Sequence, residues 1–447
     1  MFSRILVATR GEIALRIIRA CKELGIETVV VYSEADRDTI YCRLADDTIC
    51  IGPSYSSESY LNIPSIIAAA EIADVEAIHP GYGFLSEISH FAEVCQSSNI
   101  GFIGPSPKAM DLMGNKSRAR QLALDCNVPI VPGSEGTVDD DTTALKIAHH
   151  IGYPVIIKAS AGGGGRGMRI ARNDISLASA INVARTEADA AFGNPAIYIE
   201  KLVTEARHVE VQILGDHYGN IIALGERDCS LQRRHQKLIE EAPCPSITPE
   251  LRNLISAAAI AIAKAAGYYG AGTVEFLVDK HANYYFIEMN CRVQVEHPVT
   301  EMVTGVDIIK QQIRIASGHK LRIRQQDVKV EGVAIECRIN AEDPRNNFKP
   351  SPGKVTTYFA PGGPGVRIDS HLYSGYTVPS EYDSLVAKLI VHRANRREAV
   401  ACMKRALEEY IIEGIKTTIP LYLEIFGHSA FLSGKVDTNF VESEFFE

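Results

Sequence analysis

The stretch PVIIKASAGGGGRGMRIAR, Pro154 to Arg172, sets four consecutive glycines and a basic residue between two apolar runs. Glycine loses more conformational freedom on folding than any other residue, so such a run calls for a reason. Gly162, Gly164 and Gly167 satisfy G-x-G-x-x-G. In a dinucleotide-binding fold that pattern opens a helix, whose N-terminus receives the phosphates. Here a strand-like run, PVIIK, precedes the glycines and a second, MRIAR, follows them. The dinucleotide reading fails, and no Lys-Ser or Lys-Thr stands at the spacing of a P-loop. What remains is a glycine-rich hairpin tip whose bare N–H groups can close over phosphates as a lid. Lys158 leads into it. A plain surface hairpin is the competing reading, and it accounts poorly for a lysine at the end of a buried strand.

At 447 residues the chain exceeds one ordinary core, so about two to four domains are expected. Hydrophobic content of 46% and charged content of 23% are those of a folded protein. The 46 basic and 55 acidic residues leave a net charge of −9. Nucleic acid as main partner is disfavoured, because phosphate backbones call for a basic face. The ten cysteines are scattered singly with no C-x-x-C, which reads as structural thiols in a reducing compartment. MFSRILVATRGE enters a strand directly with no signal-peptide pattern, and no apolar stretch reaches bilayer length. A cytoplasmic protein that does not enter a membrane is expected.

The first hundred residues alternate strand and helix patterns: RILVATR, then GEIALRIIRACKELG ending at Gly25, then ETVVVYS. This βαβ opening predicts a doubly wound parallel sheet. VEAIHPGYGFLSE and IGFIGPSP place further loops after strands, where such sheets bind ligands, although Gly81 and Gly83 could equally make a turn. From about Met113 the texture changes to a helix, NKSRARQLALDCNV, and then to strand patterns suited to antiparallel pairing. A last region begins near Gly332 and ends with the helix RREAVACMKRALEEY. The expected domains are 1–113, 114–330 with a lid subdomain over about 131–203, and 331–447.

A second informative stretch is YYFIEMNCRVQVEHP, Tyr284 to Pro298. From Ile287 it alternates strictly, with Glu288, Asn290, Arg292, Gln294 and Glu296 on one parity. Pairing it with GTVEFLVD across a four-residue turn, KHAN, sets Glu275 opposite Glu288. Like charges so placed repel unless a cation bridges them. Two carboxylates and the Asn290 amide oxygen are hard ligands suited to Mg²⁺. Fully extended, the segment would hold Glu288 and Glu296 up to roughly 26 Å apart, which gives Glu296 a separate task. RDCSLQRRHQKLIEEAP crowds Arg233, Arg234, His235 and Lys237 together. It reads as an anion site or as a surface run balanced by Glu240 and Glu241. His79, His208 and His297 taken singly read as structural.

Together ATRGEIALRIIRACKELGI, AIHPGYGFLSE, FIGPSP, LMGNK, KASAGGGGRGM, ERDCSLQRRHQKLIEEAP, FIEMNCRVQVEHPVTEM, ECRINAEDP and FKPSPG resemble the biotin carboxylase branch of the ATP-grasp superfamily. The resemblance covers nearly the whole chain. It implies an α/β and α+β multidomain fold: a Rossmann-like N-terminal domain, an ATP-grasp core with a glycine-rich lid, and a C-terminal domain. It implies that ATP phosphorylates bicarbonate to carboxyphosphate and that carrier-bound biotin is carboxylated. Lys116 and Lys158 would then hold phosphates, with Gly164 and Gly165 in the lid. Glu200, Lys201, Leu202 and Val203 would line the adenine pocket, with His208, Gln232 and His235 around the nucleotide. Glu275, Glu288 and Asn290 would hold magnesium or manganese. Lys237, Arg292 and the Val295 backbone would bind bicarbonate, with Glu296 as general base. Arg338, with Tyr82 nearby, would steady charge on the biotin ureido oxygen. Cys291 stands where relatives commonly have threonine, and Ala161 where many have glycine.

The resemblance further implies a biotin carboxyl carrier protein, carboxyltransferase subunits and a homodimer, since the chain has no biotin-attachment lysine motif. Acetyl-CoA carboxylase, in fatty acid synthesis, is the expected parent. A propionyl-CoA or pyruvate carboxylase, or another ATP-grasp ligase, is the alternative. A non-catalytic nucleotide-binding subunit would be expected to lack Glu296, Arg292 or a metal carboxylate, and all are present.

Overall fold

The structure is a computed structural model that describes residues 1–160 and 168–446. Near-continuous apolar runs form the first strands, β1 (Arg4–Val7) and β2 (Glu27–Ser33), followed by β3 (Asp47–Gly52), β4 (Ala77–His79) and β5 (Gly101–Phe102). They build a parallel sheet in the order β3-β2-β1-β4-β5, as the βαβ pattern predicts. Between β1 and β2, helix α1 (Gly11–Glu23) buries Ile13, Ala14, Ile17 and Ile18, and Gly25 ends the turn at φ +73°.

The strand order reverses between β1 and β4, the place where a doubly wound sheet opens a crevice. The loop after β4 carries Gly81 at φ +62°, where a Cβ would lie 2.7 Å from the Thr9 side chain. Position 81 therefore requires glycine for both conformation and space, and the turn it makes presents Tyr82.

The lid sheet joins β6 (Val155–Ala159), β7 (Arg169–Ala171) and β8 (Ile197–Lys201) in the order β7-β6-β8, all antiparallel. The flanking strands of the glycine hairpin are thus as expected. The glycines themselves, Gly164 and Gly165 among them, lie outside the described residues.

The large sheet takes β9 (Arg207–Gly215), β10 (Ile221–Arg233), β11 (Gln236–Ala242), β12 (Gly270–Val278), β13 (Tyr284–Asn290) and β14 (Val333–Asn340). Two strands from late in the chain, Val366–Ser370 and Leu385–Arg393, complete it. The order is β13-β12-β9-β10-β11-β14, then Leu385–Arg393, then Val366–Ser370. The change of sequence texture near residue 331 thus falls between neighbouring strands of one continuous sheet. The helix His297–Thr304 packs Val299 and Val303 on Ala242, Ala334 and Ile390, across that join.

Two details differ from the sequence reading. β12 and β13 pair Val278 with Tyr284, so the loop is 279–283, one residue longer than KHAN. Phe276 then faces Phe286 while Glu275 faces Glu288, so Ile287 is an extra residue in β13. The two differences cancel, and the Glu275–Glu288 register stands. Second, the strand ends at Asn290, and residues 291–296 turn away from it. The alternation out to Glu296 is therefore not one extended strand. Among the described residues no helix is long and apolar enough to cross a membrane.

Candidate active site

A cavity of about 1410 Å³ opens where the N-terminal sheet, the lid sheet and the large sheet meet. Each described site residue that the resemblance implies lies on its wall. A row of three carboxylates runs beneath it, two of which, Glu275 and Glu288, line its wall. Glu210, Glu275 and Glu288 stand in register on β9, β12 and β13, where cross-strand neighbours are about 5 Å apart. Three like charges in a row require cations. Lys237, reaching in from β11, supplies the first: its Nζ donates to Glu210 (2.5 Å), Glu275 (2.9 Å), Glu296 (2.7 Å) and Gln294 (3.1 Å). Arg227, fully buried, takes the other Glu210 oxygen at 2.6 Å. Burial works against the Lys237 ammonium, but Glu210, Glu275 and Glu296 outweigh it and hold its pKa well above the usual value.

Glu296 immediately precedes the helix His297–Thr304 and is 1% exposed. Its second oxygen accepts from Arg338 Nη2 at 2.8 Å, and Arg338 Nε donates to Glu240 at 2.6 Å. Burial pushes the Glu296 carboxyl up, but Lys237, then Arg338 and Arg227, outweigh it and hold it below the usual carboxylate range. Arg292 is not among these partners. Arg292 pairs instead with Glu87, 2.8 Å from Nε, and donates to Asn290 Oδ1 at 3.1 Å. The bend after Asn290 brings Glu296 onto the same ammonium as Glu275, so the extended-chain separation does not apply.

On the lid side, Lys158 donates to Glu200 at 2.5 Å, and Arg120 binds the other Glu200 oxygen. The Lys201 ammonium turns away to the carbonyls of Gly152 (2.9 Å) and Tyr153 (2.8 Å), leaving Leu202 and Val203 on the wall. His208 Nε2 lies 3.0 Å from Glu275 Oε2. Burial lowers its pKa, but Glu275 more than restores it, and the net shift is upward. Gln232 and His235 follow along the β10–β11 hairpin, whose turn residues Arg234 and His235 both take positive φ, 47° and 64°. That turn divides the basic run. His235 and Lys237 line the cavity, while Arg233 and Arg234 reach Asn347 outside it. Glu240 and Glu241 are buried, not surface counter-charges.

At the far end Tyr82 donates to Glu12 Oε1 at 2.5 Å, beside Arg338. The Val295 carbonyl accepts from Lys388 at 2.8 Å, which leaves its N–H as the group that can meet a ligand.

The residues suit magnesium. Burial, then Glu275, raises the Glu288 pKa, and Lys116 at 3.9 Å is a distant counter-charge. Glu288 is therefore a carboxylate short of positive charge, beside a second carboxylate, with oxygen donors of the kind magnesium prefers. The Asn290 amide turns its nitrogen to Glu275 (2.9 Å) and its oxygen to Arg292. Sequence reasoning passed over Glu87, Glu210 and Arg227, and took Glu240 for a surface counter-charge. Glu210 carried a signal, because His208, Glu210 and Gln212 alternate on the strand that pairs with Glu275.

Models for known families match the chain in three consecutive pieces. The biotin carboxylase N-terminal domain covers 1–110, the carbamoyl-phosphate synthase L chain ATP-binding domain 115–324, and the biotin carboxylase C-terminal domain 336–443. Biotin carboxylase 1 of Bacillus subtilis is 55% identical over 444 residues, 99% of each chain. The chain belongs to the biotin carboxylase family. As an enzyme it is a biotin carboxylase, an ATP-dependent, ADP-forming ligase with an ATP-grasp domain. The Pseudomonas aeruginosa biotin carboxylase is 56% identical over 445 residues, again 99% of each chain. Among solved structures, a biotin carboxylase–beta-gamma-ATP complex from Campylobacter jejuni superposes with a TM-score of 0.97 at 53% identity, covering 99% of each chain. The biotin carboxylase domain dimer of Hydrogenobacter thermophilus 2-oxoglutarate carboxylase, with MgADP, ADP and bicarbonate, gives 0.96 at 50% identity, covering 99% of this chain and 98% of that one.

Proposed function

We propose that this biotin carboxylase uses ATP and bicarbonate to carboxylate biotin on a separate carrier protein, the first half-reaction of acetyl-CoA carboxylase on the way to malonyl-CoA and fatty acids. One observation carries the site reading: Glu296, the candidate base, shares the Lys237 ammonium with Glu275 and is gripped by Arg338 on its other oxygen. These cations keep it ionised and, while they hold it, lower its affinity for a proton. Bicarbonate arriving among Lys237, Arg292 and the Val295 N–H draws donors away from Glu296. Its affinity for a proton rises as they leave.

In this reading Glu296 removes the bicarbonate proton, and the freed oxygen attacks the γ-phosphorus of ATP as ADP departs. Lys116 and Lys158 neutralise phosphate charge, aided by Gly164 and Gly165. Glu200 to Val203, His208, Gln232 and His235 position the nucleotide. Glu275 and Glu288, with Asn290, hold magnesium or manganese, which adds charge neutralisation at the phosphates. Arg338 and Tyr82 then orient the biotin ureido group.

We take 1–113, 114–330 (lid about 131–203) and 331–447 as the working domains of a cytoplasmic homodimer that meets a carrier protein and carboxyltransferase subunits. The family models matched over 1–110, 115–324 and 336–443 support the divisions, and the solved Hydrogenobacter thermophilus domain dimer supports the pairing. Solved relatives also include biotin carboxylase parts of 2-oxoglutarate and pyruvate carboxylases, so a keto-acid acceptor is the second reading. Combining the enzyme with its own carrier and transferase and supplying acetyl-CoA, propionyl-CoA, pyruvate and 2-oxoglutarate in turn separates the two. Malonyl-CoA is the expected product; carboxylation of a keto acid alone would overturn the acetyl-CoA reading.

A further inference from the structure

Lys388, on the strand Leu385–Arg393, is 0% exposed. An ammonium taken wholly out of water is costly unless its acceptors are fixed. Here they are: the Val295 carbonyl at 2.8 Å and Glu12 Oε1 at 3.0 Å, with Asp369 Oδ2 at 4.0 Å. Burial opposes the charge, but Glu12, Glu336 and Asp369 outweigh it, so Lys388 stays protonated. Two of these contacts reach the candidate site. Val295 lies between Gln294 and Glu296, both on Lys237. The Glu12 oxygen that meets Lys388 is the same oxygen that accepts from Tyr82. Glu12 comes from the N-terminal sheet's first helix, Lys388 from the last third of the chain, and Val295 from the bend between them.

We propose that Lys388 is a positioning residue: it holds the Val295 bend against Glu12 and Tyr82, so that one ammonium sets the bicarbonate and biotin ends of the cavity in register. This rests on the assignment of Val295 to bicarbonate and Tyr82 to biotin. Removing Lys388 frees the bend and the Glu12 carboxylate together. A mere space-filling charge would affect stability without distinguishing one substrate from another.

The test uses the full chain and bicarbonate-dependent ATP cleavage with free biotin. K388M is expected to raise the bicarbonate KM by about tenfold or more, the weight of a hydrogen bond from a charged donor. The ADP affinity should stay as in the unmodified enzyme. Y82F should raise the bicarbonate KM in the unmodified background but add nothing to K388M, because both act through Glu12. K388M strands a buried carboxylate, so K388M/E12Q, which removes both charges, carries the same comparison. An unchanged bicarbonate KM in a folded, active Lys388 variant overturns the proposal. So do strictly additive Tyr82 and Lys388 effects, or loss of the fold in both Lys388 variants, which would make the residue one of stability. ATP cleavage that ignores bicarbonate in the unmodified enzyme would instead defeat the site reading itself.

Discussion

Glu296 is itself buried and has one oxygen on Lys237 and the other on Arg338. Gln at this position keeps the size and one acceptor but cannot take a proton. Glu296→Gln is expected to lower biotin-dependent turnover by roughly 10²-fold or more, the usual weight of a general base, with ADP affinity retained. Paired ADP titration and turnover on the purified variant check it; normal turnover would remove Glu296 from the mechanism. Glu288 differs in kind. Its counter-charge, Lys116, is 3.9 Å away, so it depends on an added cation where Glu275 already has Lys237. Glu288→Gln should therefore raise the magnesium concentration needed for half-maximal activity, and a magnesium titration that superposes on the unmodified enzyme would refute the metal role.

At the scale of elements, β11 and β14 place Glu240 directly opposite Glu336. Neither Glu336 oxygen finds a hydrogen-bond donor among the described residues. Burial, ahead of the opposing pull of Lys388 and with a further push from Glu240, raises its pKa well above the ordinary value. Burial also pushes Glu240 up to about 7 despite Arg338. Arg338, Lys388, Lys237 and Glu296 are the other charged groups that act on this pair. Because the folded pKa values are raised, the native state holds protons that the unfolded chain has released. The stabilisation is full below an unfolded pKa of about 4.3 and is lost as pH rises through the folded values. Glu336→Gln, with no proton to lose, should give a flatter stability profile and a relative gain at pH above neutrality. The gain is about 1.4 kcal/mol for each unit of raised pKa that is removed. Thermal unfolding of both proteins across neutral and mildly alkaline pH measures it, and parallel profiles would contradict the argument.

For the whole molecule, the continuous sheet decides the behaviour. β14 belongs to the last region of the chain yet hydrogen-bonds to β11, and Arg338 on it completes the grip on Glu296. Arg16 of the first helix binds Glu301 and Asp307, while Arg367 of a late strand binds the other Glu301 oxygen. Three stretches of chain thus meet on one buried carboxylate. A fragment beginning at residue 331 would expose the β14 edge and leave Arg338 without Glu240. It is expected to aggregate or stay unfolded, as circular dichroism and gel filtration would reveal; a compact, cooperative fragment would count against the single-sheet view.

Local pattern sufficed wherever the physics is local. The alternation of apolar runs and helical spacing over the first hundred residues specifies the parallel sheet, and PVIIK and MRIAR specify strands on both sides of the glycines. Glu275 faced Glu288 on register alone, although a longer loop and an extra Ile287 were needed to make it so. The resemblance, and not spacing, marked Glu296, Arg292, Lys237 and Arg338 as a set, because it attaches to motifs each contiguous in the chain. What pairs with what was decided only in three dimensions. Glu87 on Arg292, Glu210 on Lys237, Glu240 on Arg338 and Lys388 on Val295 each join groups far apart in sequence. A buried charge chooses its partner by distance and desolvation, quantities set by how strands stack and where a strand stops. The stop at Asn290 is the clearest case, since it alone turns an alternating strand into a bend that delivers Glu296 to Lys237.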